Sequence, residues 1–167
     1  MRSRDPQVIL YAQGFTRRNP GPGGYAAVML CGPHRRELSA GYRQTTQSRL
    51  ELMALVAAFG SFKHPCSVTL MVDSPAVLAG LTAGAARTWK QQGWMRSSTV
   101  PVLNADLWAE LLDLCDGHDL TLHNPRSPVR SDDHERCQAI CRLAAARPAL
   151  VDSVFEQATP PEPAVLY

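Results

Sequence analysis

The hydrophobic pattern of this chain changes period between Tyr42 and Cys66, and that change constrains the fold more than any other feature. Before it, apolar residues fall in short runs split by turn formers. Val8, Ile9, Leu10 and Tyr11 predict a strand over Gln7–Gln13. The hexapeptide Asn19–Gly24, NPGPGG, is a strong break. Tyr25–Cys31 and Arg35–Tyr42 predict two further strands, with Gly32, Pro33 and His34 as the turn between them. Consecutive strands joined by short turns imply an antiparallel meander. From Thr46 to Lys63 the spacing becomes helical: Leu50, Met53, Ala54, Ala57, Ala58 and Ser61 share one stripe. Leu52, Leu55, Val56 and Phe59 widen it into the pattern of a long, well-buried helix. Cys66–Val72 then returns to a strand. Strand, long helix, strand implies a right-handed parallel crossover.

The second half adds smaller pieces. Helices are predicted over Ser74–Gly80 and Ala83–Thr88, and over Asn104–Cys115 with Asn104 as its cap. Asp119–His123 reads as a fifth strand. Asp132–Ala146 reads as the last helix, ended by Pro148. The expected architecture is α/β: a mixed five-stranded sheet, an antiparallel meander followed by parallel strands, with helices on both faces. One domain over 1–155 and a proline-containing tail over 156–167 follow. With 45% hydrophobic residues the chain can build a sizeable core. No apolar run reaches the ~18 residues of a membrane span, and Met1–Gln7 lacks the apolar centre of a secretion signal. The expectation is a cytoplasmic protein with no membrane partner. Five cysteines, an odd number, fit reduced thiols better than a disulfide framework. The net charge of +2 is too small to hold nucleic acid by bulk charge, so any such function rests on local motifs.

Motifs of that kind occur in a fixed order: NPGPGGY, SAGY, TTQSRLELMA, VDS, WKQQGW, NADLW and HERC. Together they resemble type 1 ribonuclease H, over roughly residues 7 to 155. The resemblance implies the same five-stranded fold. It also implies cleavage of the RNA strand of RNA/DNA hybrids by two magnesium ions held by four carboxylates. Two such ions ~4 Å apart clamp the attacking water and the leaving oxygen. Magnesium is a hard cation that prefers charged oxygen ligands.

Carried over position by position, the family's acids are half present. The second is Glu51 in the long helix and the third is Asp73 at the end of the fourth strand. The first position is Gln13 and the fourth is Gln138. The family's loop histidine falls near Pro128. Asp132, Asp133 and Glu135 lie close enough in sequence to approach the fourth position, but no Asp or Glu lies between Val8 and Asn19 to replace the first. The expectation is no tight metal site, with Glu51 and Asp73 as weak candidates, and no cofactor. The protein is therefore expected to be a pseudoenzyme, or a severely impaired one. Neutral drift in a working hybrid nuclease is the rival reading.

For binding, the resemblance implies contacts to an RNA/DNA hybrid from Asn19, Thr46, Gln47 and Arg49 around the turn and the start of the long helix. It implies a basic protrusion with Trp89, Lys90 and Trp94. A plain hairpin turn explains Asn19 and Gly21–Gly24 equally well, and Trp89 is equally placed to pack in the core. Arg87, Lys90 and Arg96 make a thin basic handle. A protein partner, held by a sheet edge, the cleft or the tail, is the alternative to nucleic acid. His134, Cys137 and Cys141 share helical spacing, but three ligands fall short of a structural zinc site.

Overall fold

The computed structural model describes residues 5–82, 84–124 and 131–158. Three strands come first: β1 (Gln7–Thr16), β2 (Gly21–Cys31) and β3 (His34–Thr45). They are followed by α1 (Gln47–Gly60), β4 (Ser67–Met71), α2 (Pro75–Thr82), α3 (Ala85–Gln91) and α4 (Ala105–Cys115). Strand β5 (Asp119–His123), α5 (Asp132–Ala145) and α6 (Ser153–Ala158) complete the described chain. The sheet has the order β3-β2-β1-β4-β5. β1 pairs antiparallel with β2 and parallel with β4, so it sits at the centre of a mixed sheet. β4 and β5 are parallel, and β2 and β3 antiparallel.

Alternation along β1 assigns the two faces. Val8, Leu10 and Ala12 join Ala27 and Met29 of β2 in the larger core, under α1 and α4. Tyr11 joins Ala26 and Val28 in a second core, closed by Cys137, Ile140 and Cys141 of α5. Burial pushes the Cys141 thiol up to about 12, and raises that of Cys137 as well. Both are protonated donors: Cys137 Sγ reaches the Ala26 carbonyl at 3.4 Å and Cys141 Sγ the Gly24 carbonyl at 3.1 Å. They are core residues that bind α5 to the sheet. All five cysteines are free thiols. Among the described residues, no helix is long and apolar enough to cross a membrane.

Two expectations need correction. β1 does not stop at Gln13; it runs on to Thr16, and Gly21–Gly24 are strand residues of β2 rather than turn. The glycines permit packing that the turn reading ignores. A Cβ at Gly23 would stand 2.6 Å from Leu50 of α1, and one at Gly24 would stand 2.5 Å from the Ala145 nitrogen of α5. Asn104 precedes α4 in a left-handed conformation (φ 58°, ψ 34°) and makes no side-chain cap. Its Nδ2 donates instead to Ser48 Oγ at 3.0 Å, joining α4 to α1. Helix α6 continues through Ala158, three residues into the segment expected as tail. Pro128 lies outside the described residues.

Candidate functional site

The parallel pairing of β1 with β4 ends at Tyr11 and Met71. Two residues further along stand Gln13, still within β1, and Asp73, just past the end of β4. Gln13 is held by β2, where it faces Ala26. Helix α1 descends onto this edge because Gly14 has no side chain. A Cβ there would stand 2.8 Å from both the Glu51 nitrogen and Leu50 Cβ. Glu51 is thereby brought beside β1. One residue past Asp73, Ser74 Oγ donates to Glu51 Oε2 at 2.6 Å. Gln138 follows Cys137, whose thiol donates to the Tyr11 carbonyl at 3.6 Å. Glu51 is thus set beside β1 and joined to Ser74, one residue past Asp73, while Gln138 rides on α5, whose Cys137 contacts β1.

Gln47 stitches the site together. Its Nε2 donates to the Gly14 carbonyl and, at 3.2 Å, to Glu51 Oε1. Its Oε1 accepts from the Thr16 backbone at 3.1 Å. Its own backbone N–H donates to Asn19 Oδ1 at 3.1 Å. Glu51 is therefore oriented from both sides, by Ser74 and by Gln47. Among the described residues Gln13 Nε2 is buried with no hydrogen-bond partner.

The sequence model of the RNase H family matches residues 5–124. The chain belongs to the ribonuclease H family. It is 44% identical over 147 residues to Ribonuclease H of Syntrophus aciditrophicus, covering 87% of this chain and 85% of that protein. It is 41% identical over 160 residues to Ribonuclease HI of a Synechocystis species, covering 93% and 98%. A solved structure, LC9-RNase H1, a type 1 RNase H with the type 2 active-site motif, shares the fold with a TM-score of 0.74 at 23% identity, over 93% of this chain and 82% of that one.

The residues expected to grip nucleic acid in this ribonuclease H fold fare unequally. Arg49 does not reach outward. Its side chain is 6% exposed and lies 2.6 Å from Asp152 and 2.7 Å from Asp106, with bidentate contacts to each carboxylate. An arginine spent on two carboxylates has no free fork for a phosphate. Thr46 caps α1, its hydroxyl accepting from the Arg49 backbone at 3.3 Å. Asn19 and Gln47 are committed to the contacts above. Trp89 and Trp94 both pack partly buried against the larger core, and Trp89 meets Trp108 edge to face at 5.8 Å. Lys90 is exposed and lies 3.3 Å from Asp113 of α4. Sequence reasoning missed Ser74 and Asp152. Both are short-range invisible, since their partners lie 23 and 103 residues away.

Proposed function

We propose that this chain is a ribonuclease H-family domain that binds RNA/DNA hybrid and cleaves it poorly or not at all. One observation carries the reading. Carried over from the family, the acid positions of this chain are Glu51 and Asp73, which are carboxylates, and Gln13 and Gln138, which are neutral amides. That donor set does not fit two magnesium ions. An amide oxygen can ligate a divalent cation, but it brings no charge, so the site offers two negative charges against four positive ones. Both Glu51 oxygens already accept hydrogen bonds from Ser74 and Gln47. Binding is supported by the retained fold and by a neighbour of the same fold, LC11-RNase H1, solved in complex with RNA/DNA hybrid. Fewer carboxylates beneath the substrate also lessen repulsion of its phosphates.

The test is a pair of measurements on the full chain. Hybrid cleavage in magnesium and in manganese is expected at background. Hybrid affinity in chelator is expected to be measurable, and stronger than for double-stranded DNA because the RNA strand displays 2′-hydroxyls. Cleavage that disappears with Asp73→Asn would establish the rival reading, a working nuclease with a reduced metal site. Absence of hybrid binding in every condition would leave a protein partner as the use of the scaffold.

A further inference from the structure

Strand β5 is an edge of the sheet, and its two faces differ. Leu120 and Leu122 pack against the larger core, under α1 and α4. Asp119, Thr121 and His123 alternate with them onto the opposite face and are exposed. Helix α5 covers that face over β1 and β2, where Tyr11, Ala26 and Val28 meet Cys137, Ile140 and Cys141. Register sets Tyr11, Met71 and His123 in one row across β1, β4 and β5. Gln13 lies two residues beyond Tyr11 on β1 and so shares the face of that row. The row's outer end is fixed, because the Val72 N–H donates to the His123 carbonyl at 3.1 Å. His123 is thereby bonded to the residue that precedes Asp73. Among the described residues its ring makes no hydrogen bond, ion pair or ring contact.

We infer that His123 is a nucleic-acid contact of this domain, its imidazole donating to a phosphate of the strand that crosses the Gln13–Asp73 end of the sheet. The inference rests on the hybrid-binding reading and adds a residue to it. An imidazole donates from one ring nitrogen when neutral and from both when charged, so it meets an anionic oxygen in either state. The other histidines are placed otherwise. His118 Nδ1 accepts from the Cys66 N–H at 3.0 Å, and its ring packs between Phe59 and Phe62. His134 is buried under α5. His34 and His64 lie at the opposite end of the sheet. The cations expected to grip nucleic acid are also engaged: Arg49 by Asp106 and Asp152, and Lys90, 3.3 Å from Asp113. With a net charge of only +2, one more donor facing the phosphates is a large share of the contacts on offer.

The experiment measures hybrid affinity of the full chain in chelator, with a set of hybrids in which one phosphate at a time is replaced by an uncharged methylphosphonate. For the parent, one linkage is expected to weaken binding about tenfold when neutralised, the worth of a hydrogen bond to a charged group. His123→Ala should weaken binding of the unmodified hybrid by a similar factor and lose its sensitivity to that linkage. His123→Arg should restore both the affinity and the sensitivity. His123 is exposed, so the urea midpoints of both variants should stay at the parent's value, as for surface substitutions generally. A methylphosphonate profile unchanged in His123→Ala, or an affinity equal to the parent's, would overturn the assignment and leave the hybrid-binding reading standing. No hybrid binding by the parent under any condition would overturn both.

Discussion

At the scale of single residues, Arg49 is the position where sequence resemblance and structure diverge most. It lies in the segment that the family uses for nucleic acid, yet it serves as a clasp. Asp106 of α4 and Asp152, just before α6, both end on its guanidinium, and Thr45 Oγ1 adds a 2.6 Å bond to Asp152. Removing one member of a buried pair leaves the other desolvated without compensation, at a cost of about 3–5 kcal/mol. Arg49→Ala is expected to lose about that much in urea denaturation, because Asp152 is only 4% exposed. The same variant should blunt acid sensitivity. Hydrogen bonding to Arg49 holds the Asp106 carboxyl below its usual range. The folded state therefore takes up that proton less readily than the unfolded one. The contribution is complete above the unfolded carboxylate range and is lost as pH falls through the depressed folded value. Asp106 is partly exposed, so water screens this share and Asp152 dominates the loss at neutral pH.

At the scale of elements, α5 is the piece whose placement decides where Gln138 stands. Its start is fixed by Ser131, whose hydroxyl accepts from the His134 backbone at 3.1 Å and donates to Tyr11 Oη at 2.9 Å. Ion pairs from Arg35 to Asp133 and from Arg136 to Glu37 brace it against β3. Exposed pairs of this sort each contribute little. Its far end rests directly on the sheet. A Cβ at Gly41 would lie 2.2 Å from the Ala144 carbonyl and 2.6 Å from that of Arg147, both backbone atoms that cannot swing aside. Gly41→Ala is therefore expected to cost about 1–3 kcal/mol by overpacking. Ser131→Ala should cost about 1 kcal/mol through the lost cap. Chemical denaturation measures both. A Gly41→Ala protein as stable as the parent would show that α5 does not seat on β3 this way.

At the scale of the whole molecule, charge decides how the cleft meets a polyanion. The net charge is +2, and the handle's Lys90 lies near Asp113, so few cations are left to release counterions on binding. Under those conditions two carboxylates more or fewer beneath the phosphates matter. Gln13→Asp with Gln138→Asp is expected to weaken hybrid binding in chelator, because the added charges face the backbone where screening is poor. In magnesium the order should reverse, with the double variant binding more tightly and regaining some cleavage. Gln13→Asp alone should do much less, as the fourth acid position would still be an amide. Hybrid affinity of the three proteins, with and without magnesium, checks this. Equal affinities in chelator would place the hybrid away from the Gln13–Asp73 end of the sheet.

The elements were legible in the sequence because period is a local property. Three apolar runs, an 18-residue helical stripe over 46–63 and two later runs are enough to specify the meander, α1 and the parallel strands. The four acid positions come from the family resemblance: Glu51 and Asp73 lie inside the quoted motifs, Gln138 directly follows HERC, and Gln13 lies in none of them. What the sequence could not decide is which polar groups spend themselves on one another. Arg49 with Asp152, Glu51 with Ser74, and Asn104 with Ser48 are pairs separated by 103, 23 and 56 residues. Nothing in local spacing marks them, because they meet only once α1 has packed between the sheet and α4. The same holds for Gly21–Gly24. Read locally they break a strand, yet in the folded chain they are strand, and the missing side chains of Gly23 and Gly24 make room for α1 and α5. Packing of elements from distant sequence created those constraints, and only the tertiary structure could show them.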